Sequence, residues 1–311
     1  MATSKTIVLP EPDQLKKIFQ DIGTTEEKID VEVKTLVEWM RKQPHLPNPD
    51  DERRIRMFLI MCKNSLERTK ESLDQYYTIK SMVPEFFSDR DPTSPSLVRS
   101  MGISIFIPLP KLTPEGHRIS LSRLRDPSGI DNYEFLDYVK VNFMSIDIRL
   151  SKLDMFKKET FIFDLKHFSL SLLTTVVPHV KKFIYCATTA YPLRIHQVHI
   201  VNMPTYAQSM VNMVLGILKK KIASRIMIHD SVEDLKKHIK PELLPLDYGG
   251  TFPKTAEEMT DDWIEELQKH KEWFLSQNSV VCDESKRAKK PNVKVNMLAG
   301  VEGSFRKLEV D

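Results

Sequence analysis

The sequence predicts an α/β protein in three parts: an all-helical region at residues 1–100, a domain with a mainly parallel sheet at residues 101–254, and a helix and tail packed on that domain at residues 255–311. Three observations lead there. The first hundred residues read as successive helices. From Gly102 short strand-like runs alternate with 3.6-period apolar patterns, and strands alternating with helices imply crossover units and a parallel sheet. One helix, after Pro204, is apolar around more of its circumference than burial of a single face requires.

The elements follow in order. Residues 12–20 read as a short helix, and Thr24 with Glu27 forms a capping box for a helix to about residue 42, striped by Leu36, Val37, Trp39 and Met40. After the loop QPHLPNPDD, Asp50 or Asp51 caps a helix at 53–61, and another at 66–83 ends before Pro84. Turns at 114–116 and 126–129 bracket a strand at 118–124. Leu136, Val139, Phe143, Ile146 and Leu150 place a helix at about 133–150. Strands at 160–164, 197–201 and 225–229 are separated by helices at 170–187 and after Pro204. Ser231 with Asp234 starts a short helix, and a last helix runs from about Thr255, capped with Glu258, to 278.

The helix after Pro204 is the most informative. Projected at about 100° per residue, Tyr206, Met210, Val211, Met213, Val214, Leu215, Ile217, Leu218 and Ile222 cover an apolar arc of roughly 200°, where one buried face needs about 100°. Two apolar partners, one on each side, would account for it, as would burial in an ordinary core.

Composition excludes several classes. With 41% hydrophobic and 29% charged residues the chain is ordinary for a globular protein. No apolar run approaches the ~20 residues that span a bilayer, and MATSKTIVLPEPDQ lacks the apolar region of a signal peptide. Cys62, Cys186 and Cys282 are odd in number and far apart, so a reducing, cytoplasmic setting is expected. A net charge of +3 gives no argument for nucleic acid. There is no G-x-S-x-G, no H-E-x-x-H, no zinc-spaced Cys pair, no P-loop and no dinucleotide fingerprint. His196 and His199 read as strand or surface histidines, and Asp164 as a strand-end carboxylate that bonds loop amides. No catalytic residue, metal site or cofactor is expected.

Several motifs stand in register: F-D-L at Phe163 to Leu165, Y-P-L followed by Arg194, a strand ending in N-M-P at Pro204, and L-P-L-D-Y-G-G closing at Gly250. In this order and at about this spacing they resemble the lipid-binding module of the CRAL-TRIO (Sec14-like) family. The helical region resembles the small domain that precedes the module, and the tail GVEGSFRKLEVD resembles an insect-type branch related to tocopherol transfer proteins. The resemblance makes the helix after Pro204 a gate over a lipid pocket. It implies ligand contact by Phe163, Phe168, Phe183, Cys186, Tyr191 and Val198, and by Met210, Met213, Val214 and Ile217 of the gate, with Ser145 facing a ligand hydroxyl. Apolar walls with few polar groups suit such a site, and methionines let it adapt. Without the resemblance these residues read as core. In the closed gate Met210, Met213 and Ile217 are expected inward, and Val211, Leu215 and Leu218 outward, with hinges near Pro204 and at 216–219.

Arg194, Lys219, Lys220, Lys221 and Arg225 cluster near the two ends of the gate. Cations at a helix C-terminus complement its dipole. They also attract anionic lipid, by about 1 kcal/mol per cation at a charged bilayer. The resemblance implies that Arg194, Lys221 and Arg225 read phosphoinositides, while His196 and Met57 depart from its basic positions. The expectation is therefore a monomeric, non-enzymatic carrier that encloses one small hydrophobic ligand, tocopherol or a related isoprenoid, and exchanges it at anionic membranes. A retinoid or carotenoid carrier, or a phosphoinositide-sensing trafficking adaptor with no cargo, are the alternatives. An adaptor predicts a filled pocket, a carrier an enclosed cavity.

Overall fold

The computed structural model describes residues 6–288, 290–294, 297 and 298; the tail motif at residues 300–311 lies outside them. The helical region comprises α1 (Pro12–Asp21), α2 (Glu26–Arg41), α3 (Glu52–Met61), α4 (Leu66–Met82), α5 (Pro84–Phe87) and α6 (Pro95–Ile103). Thr25, one residue later than expected, caps α2 by accepting from the Lys28 amide, and Asp51 caps α3 through the Arg54 amide. The unpredicted α5 and α6 each begin on a proline, whose fixed φ and missing N–H suit the first helical position.

The sheet has five strands in the order β1 (Ser104–Pro108), β2 (His117–Leu124), β3 (Lys158–Asp164), β4 (Ile195–Val201) and β5 (Ile226–Ile228). β1 pairs antiparallel with β2, and every later pairing is parallel. Strand β1 was not anticipated because all five of its residues are buried, which erases the alternation that marks a half-exposed strand. The crossovers are α7 (Phe135–Ile148), α8 (Leu170–Ala190), and the pair α9 (Gln208–Ile217) and α10 (Lys220–Ala223). After the module come α11 (Ala256–Lys269) and α12 (Lys271–Ser276), which interrupt at His270 what was expected to be one helix.

Two apolar layers cover the sheet. On one face Ile105, Ile107, Ile119, Leu121 and Ile162 pack with Trp263 and Leu267 of α11. On the other, Phe106 and Phe161 join Phe143, Val180 and Tyr191 in a core that continues without a break into α1–α5. Helix α7 contributes Val139, Phe143 and Ile146 to one layer and Val141, Met144 and Ile148 to the other, so it is buried nearly all round. A buried carboxylate ties the helical region to the module. Asp147 of α7 pairs with Arg90 at 2.6 Å and accepts from Tyr76 at 2.9 Å and from Tyr191 at 3.0 Å. Burial alone would protonate it, but Arg90, Arg54 and Lys80 hold its pKa below the usual carboxylate range. Among the described residues no helix is long and apolar enough to cross a membrane.

Candidate binding cavity

Strand periodicity builds the floor. Phe161, Phe163, Val198 and Ile200 alternate to the same side of β3 and β4. With Ile226 of β5 they face a cavity of about 330 Å³. Val180, Phe183, Ile184 and Ala187 of α8 form one wall, and Met210, Val211 and Val214 of α9 cover it. An adjoining cavity of about 150 Å³ shares Phe163, Val180, Phe183, Met210 and Val214, and ends against Ser104, Ser122, Tyr133 and Tyr138.

Of the residues expected at a ligand, Phe163, Phe183, Met210 and Val214 line both cavities, Tyr191 and Val198 the larger, and Phe168 the smaller. Four are placed elsewhere. Cys186 is fully buried in the core outside the cavity walls, where burial pushes its thiol up to about 12. Met213 packs on that core without reaching either cavity, and Ile217 lines neither. Ser145 is also turned away: it accepts from the Trp263 indole N–H at 3.0 Å and donates to the Phe106 carbonyl. Asn142 and Ile146, one turn apart on α7, face the cavity instead, and Ser145 sits about 100° round the helix from Ile146.

The gate is neither continuous nor oriented as expected. A 3₁₀ turn at Thr205–Ala207 leads into α9; Leu218 and Lys219 are then extended, with ψ of 148° and 138°, before α10. Its inward face runs through Ala207, Val211, Val214 and Leu218, so Val211 and Leu218, expected outward, face inward. Ala207 at its start is fully buried, and Val211 and Val214 follow it at i+4 and i+7, on the same face. Proline at 204 precedes this turn with extended backbone, as its fixed φ favours.

The three strongest motifs meet at one carboxylate. Asp164 of F-D-L accepts from the Asn202 side chain of N-M-P at 2.8 Å, from the Tyr248 hydroxyl of L-D-Y-G-G at 2.6 Å, and from the Lys166 amide. Gly249 is left-handed at φ +68°, and a Cβ on Gly250 would overlap the Leu244 carbonyl, which accounts for the glycine pair.

The cations distribute differently from the expectation. Lys219, Lys220 and Lys221 are exposed beside the gate. Arg194 instead pairs with Asp21 of α1 at 2.8 Å, which also takes Lys157 at 3.0 Å. Arg225 donates to the Ile195 carbonyl. Lys157, just before β3, and Lys158, its first residue, were overlooked in the sequence and join Arg194 and Arg225. Burial and then Arg194 depress the Lys158 amine. Of the two departures noted above, Met57 is fully buried and His196 packs on His117 with ring centroids 4.3 Å apart.

On the sheet face away from the cavity His199 lies 5.1 Å from His229 and 5.3 Å from His238, centroid to centroid. Burial, then these two neighbours, lower His199 to about 4. Among the described residues no group of three or more His, Cys, Asp or Glu could hold a metal ion.

A family model described as the CRAL/TRIO domain matches residues 104–250, and one described as the Pinta-like UBA domain matches residues 25–97. The alpha-tocopherol transfer protein-like of Mus musculus is 27% identical over 250 residues, 79% of this chain and 71% of that protein. Its Homo sapiens namesake is 27% identical over 224 residues, and there the chain spans 65% of the relative's length. Clavesin-1 of Rattus norvegicus is 28% identical over 122 residues, 38% of this chain and 34% of that protein. The crystal structure of Sfh5 aligns with a TM-score of 0.46 at 12% identity, covering 84% of this chain and 98% of that one. Residues 104–250 of the chain are thus a CRAL/TRIO domain.

Proposed function

We propose that this protein encloses one small lipid, a tocopherol-like isoprenoid, and exchanges it at membranes. The cavity of about 330 Å³ carries this reading: its polar side chains are Asn142, Thr188 and Tyr191, and the Tyr191 hydroxyl is already engaged by Asp147. That volume falls within the roughly 300–1,000 Å³ range of small-molecule sites. An adaptor without cargo would have this space filled by side chains. Binding needs no bond chemistry, because moving apolar ligand surface out of water contributes about 25 cal/mol per Å². Release needs the cover to move, and its freed apolar face then requires a second partner. A bilayer supplies one, which gives the open state a stabilising contact of its own. Lys219 and Lys221 beside the cover, with Arg225 behind it, would favour an anionic bilayer.

Titration of delipidated protein with α-tocopherol, retinol and a phospholipid tests the reading. We expect one-to-one binding of an isoprenoid below about 10 μM, roughly −7 kcal/mol. Binding of none of the three overturns it. Val198→Trp and Val214→Trp, which project an indole into the cavity, should abolish binding while leaving the unfolding transition in place.

A further inference from the structure

Given the ligand exchange proposed above, we infer that residues 277–294 are a strap that binds α4 to α8 and holds the second half of α8 as the fixed wall of the cavity. Arg287 and Tyr185 are then positioning residues that limit how fast ligand leaves. The strap starts at the end of α12 and first meets the loop between α2 and α3, where the Asp283 amide donates to the His45 carbonyl at 2.8 Å.

From there the strap follows one stripe of α4. Glu71, Asp74, Gln75 and Thr78 recur at i, i+3, i+4 and i+7, the spacing that puts side chains on a single helix face. Each takes a partner from the strap. Arg287 donates to both carboxylate oxygens of Asp74, at 2.8 and 2.9 Å, and to the Thr78 hydroxyl at 2.6 Å. Asn292 donates to Glu71 at 2.6 Å, and its carbonyl accepts from Gln75 at 3.1 Å. Lys80, just past the stripe, donates to the Gln277 and Val280 carbonyls at 2.7 and 2.9 Å. The Arg287 side chain is 7% exposed, so its ion pair is shielded from the water that makes surface pairs weak.

The strap then crosses to the cavity wall. The Lys294 amide donates to the Tyr185 hydroxyl of α8, and Val280 and Val293 pack on the same apolar core as Ile184 and Tyr185. Tyr185 stands between Ile184 and, one turn on, Thr188, both of which line the larger cavity. Helix α8 needs such support because Pro178 divides it: proline has no N–H for the Thr174 carbonyl, and its ring weakens the helix there. The second half is tied down, by the strap at Tyr185 and by Lys182, which pairs with Glu85 of α5. The first half carries exposed Leu170 and Val177 and begins beside the cover, whose Tyr206 hydroxyl donates to the Phe168 carbonyl. A strap on the second half therefore confines movement to the cover and the part of α8 that meets it.

Two readings on the full-length protein test this: amide hydrogen exchange in the free form, and release of loaded α-tocopherol into excess cyclodextrin with no vesicles present. Arg287→Ala should raise exchange at residues 179–190 and speed release, each by about tenfold or more, as loss of a charged hydrogen-bonded pair would. Tyr185→Phe, which removes one hydroxyl and no packing, should do both by about threefold. Arg287→Lys keeps the charge without the fork and should fall between the wild type and Arg287→Ala. Strands β3 and β4 should exchange as in the wild type, which separates a loosened wall from general loss of stability. Unchanged exchange at 179–190 overturns the inference, as does faster exchange there with unchanged release, or an equal rise across β3 and β4. If Arg287→Ala does not fold, Tyr185→Phe decides on the same readings. If the wild type takes up no α-tocopherol, retinol or phospholipid, the carrier reading falls, and exchange at 179–190 in the free protein still decides whether the strap holds α8.

Discussion

Ser145 stands on the side of α7 that meets α11, where its hydroxyl is the partner of the buried Trp263 indole. Ser145→Ala would leave that N–H unsatisfied, at a cost of about 1–3 kcal/mol in urea unfolding, with ligand affinity unchanged. A loss of affinity at constant stability would instead place Ser145 at the ligand. The resemblance put the residue at the ligand; α7 is apolar nearly all round, and a helix buried on both sides gives no periodic cue to which face meets a cavity. His199 shows the limit of residue identity in another way. Its place on a strand was legible, but its neighbours His229 and His238 follow β5 and meet it only through sheet pairing. The folded protein favours neutral His199, with a pKa of about 4 against 6.5 for the unreacted side chain. Its contribution is therefore complete above pH 6.5 and is lost progressively as pH falls towards 4. Asp230, Asp234 and Lys237 also face the cluster, through His229. Buried Asp147 and Asp154 titrate lower, below 3.8, so their losses come later. Burial also lowers His117, to about 3, so it loses its contribution over the same window. The urea midpoint should fall between pH 7 and pH 4.5, and His199→Phe should remove part of that fall. An identical pH profile in the variant would remove the assignment.

At the scale of elements, every strand except β1 and every long helix was announced by its own pattern. The cover was legible as unusually apolar, but an arc of roughly 200° has no unique inward direction, so its facing had to come from packing. The break at Leu218 and Lys219 falls within the hinge expected at 216–219, although neither residue is itself a helix breaker. That break separates α9 from α10, which leads into β5. With the 3₁₀ turn after Pro204, it bounds the ten residues of α9, which the proposed function makes a lid that moves while β5 stays paired. A disulfide between cysteines at Met210 and on the facing wall of α8 should trap bound ligand and stop its transfer between vesicles. Gly216→Ala meets no atom within 4 Å and stiffens the end of α9 by up to about 1 kcal/mol, so it should slow transfer more than it changes affinity. Unchanged transfer in the crosslinked protein would mean that the ligand leaves by another route.

For the whole molecule, the helical region and the module are joined by one continuous apolar core and by Asp147, which bonds Arg90 and Tyr76 on one side and the cavity residue Tyr191 on the other. Such long-range joins leave no mark in local periodicity. Arg194 is the clearest case: as a basic residue near the gate it was expected to be available to lipid, yet its partner Asp21 lies 173 positions earlier, in α1. Breaking that pair would confound docking with stability, so the exposed lysines beside the lid are the proper probes. Near an anionic surface each cation is worth about 1 kcal/mol, and two charge reversals both remove attraction and add repulsion. Lys219→Glu with Lys221→Glu should therefore weaken sedimentation with phosphatidylserine or phosphoinositide vesicles by more than about tenfold, and leave ligand binding in solution unchanged. Raising salt should reproduce the loss in the wild-type protein, because the screening length shrinks from ~10 Å at 0.1 M to ~3 Å at 1 M. Equal binding to neutral and anionic vesicles would make these lysines a dipole-compensating decoration on a short helix. Docking would then have to rest on the apolar surface of the lid alone.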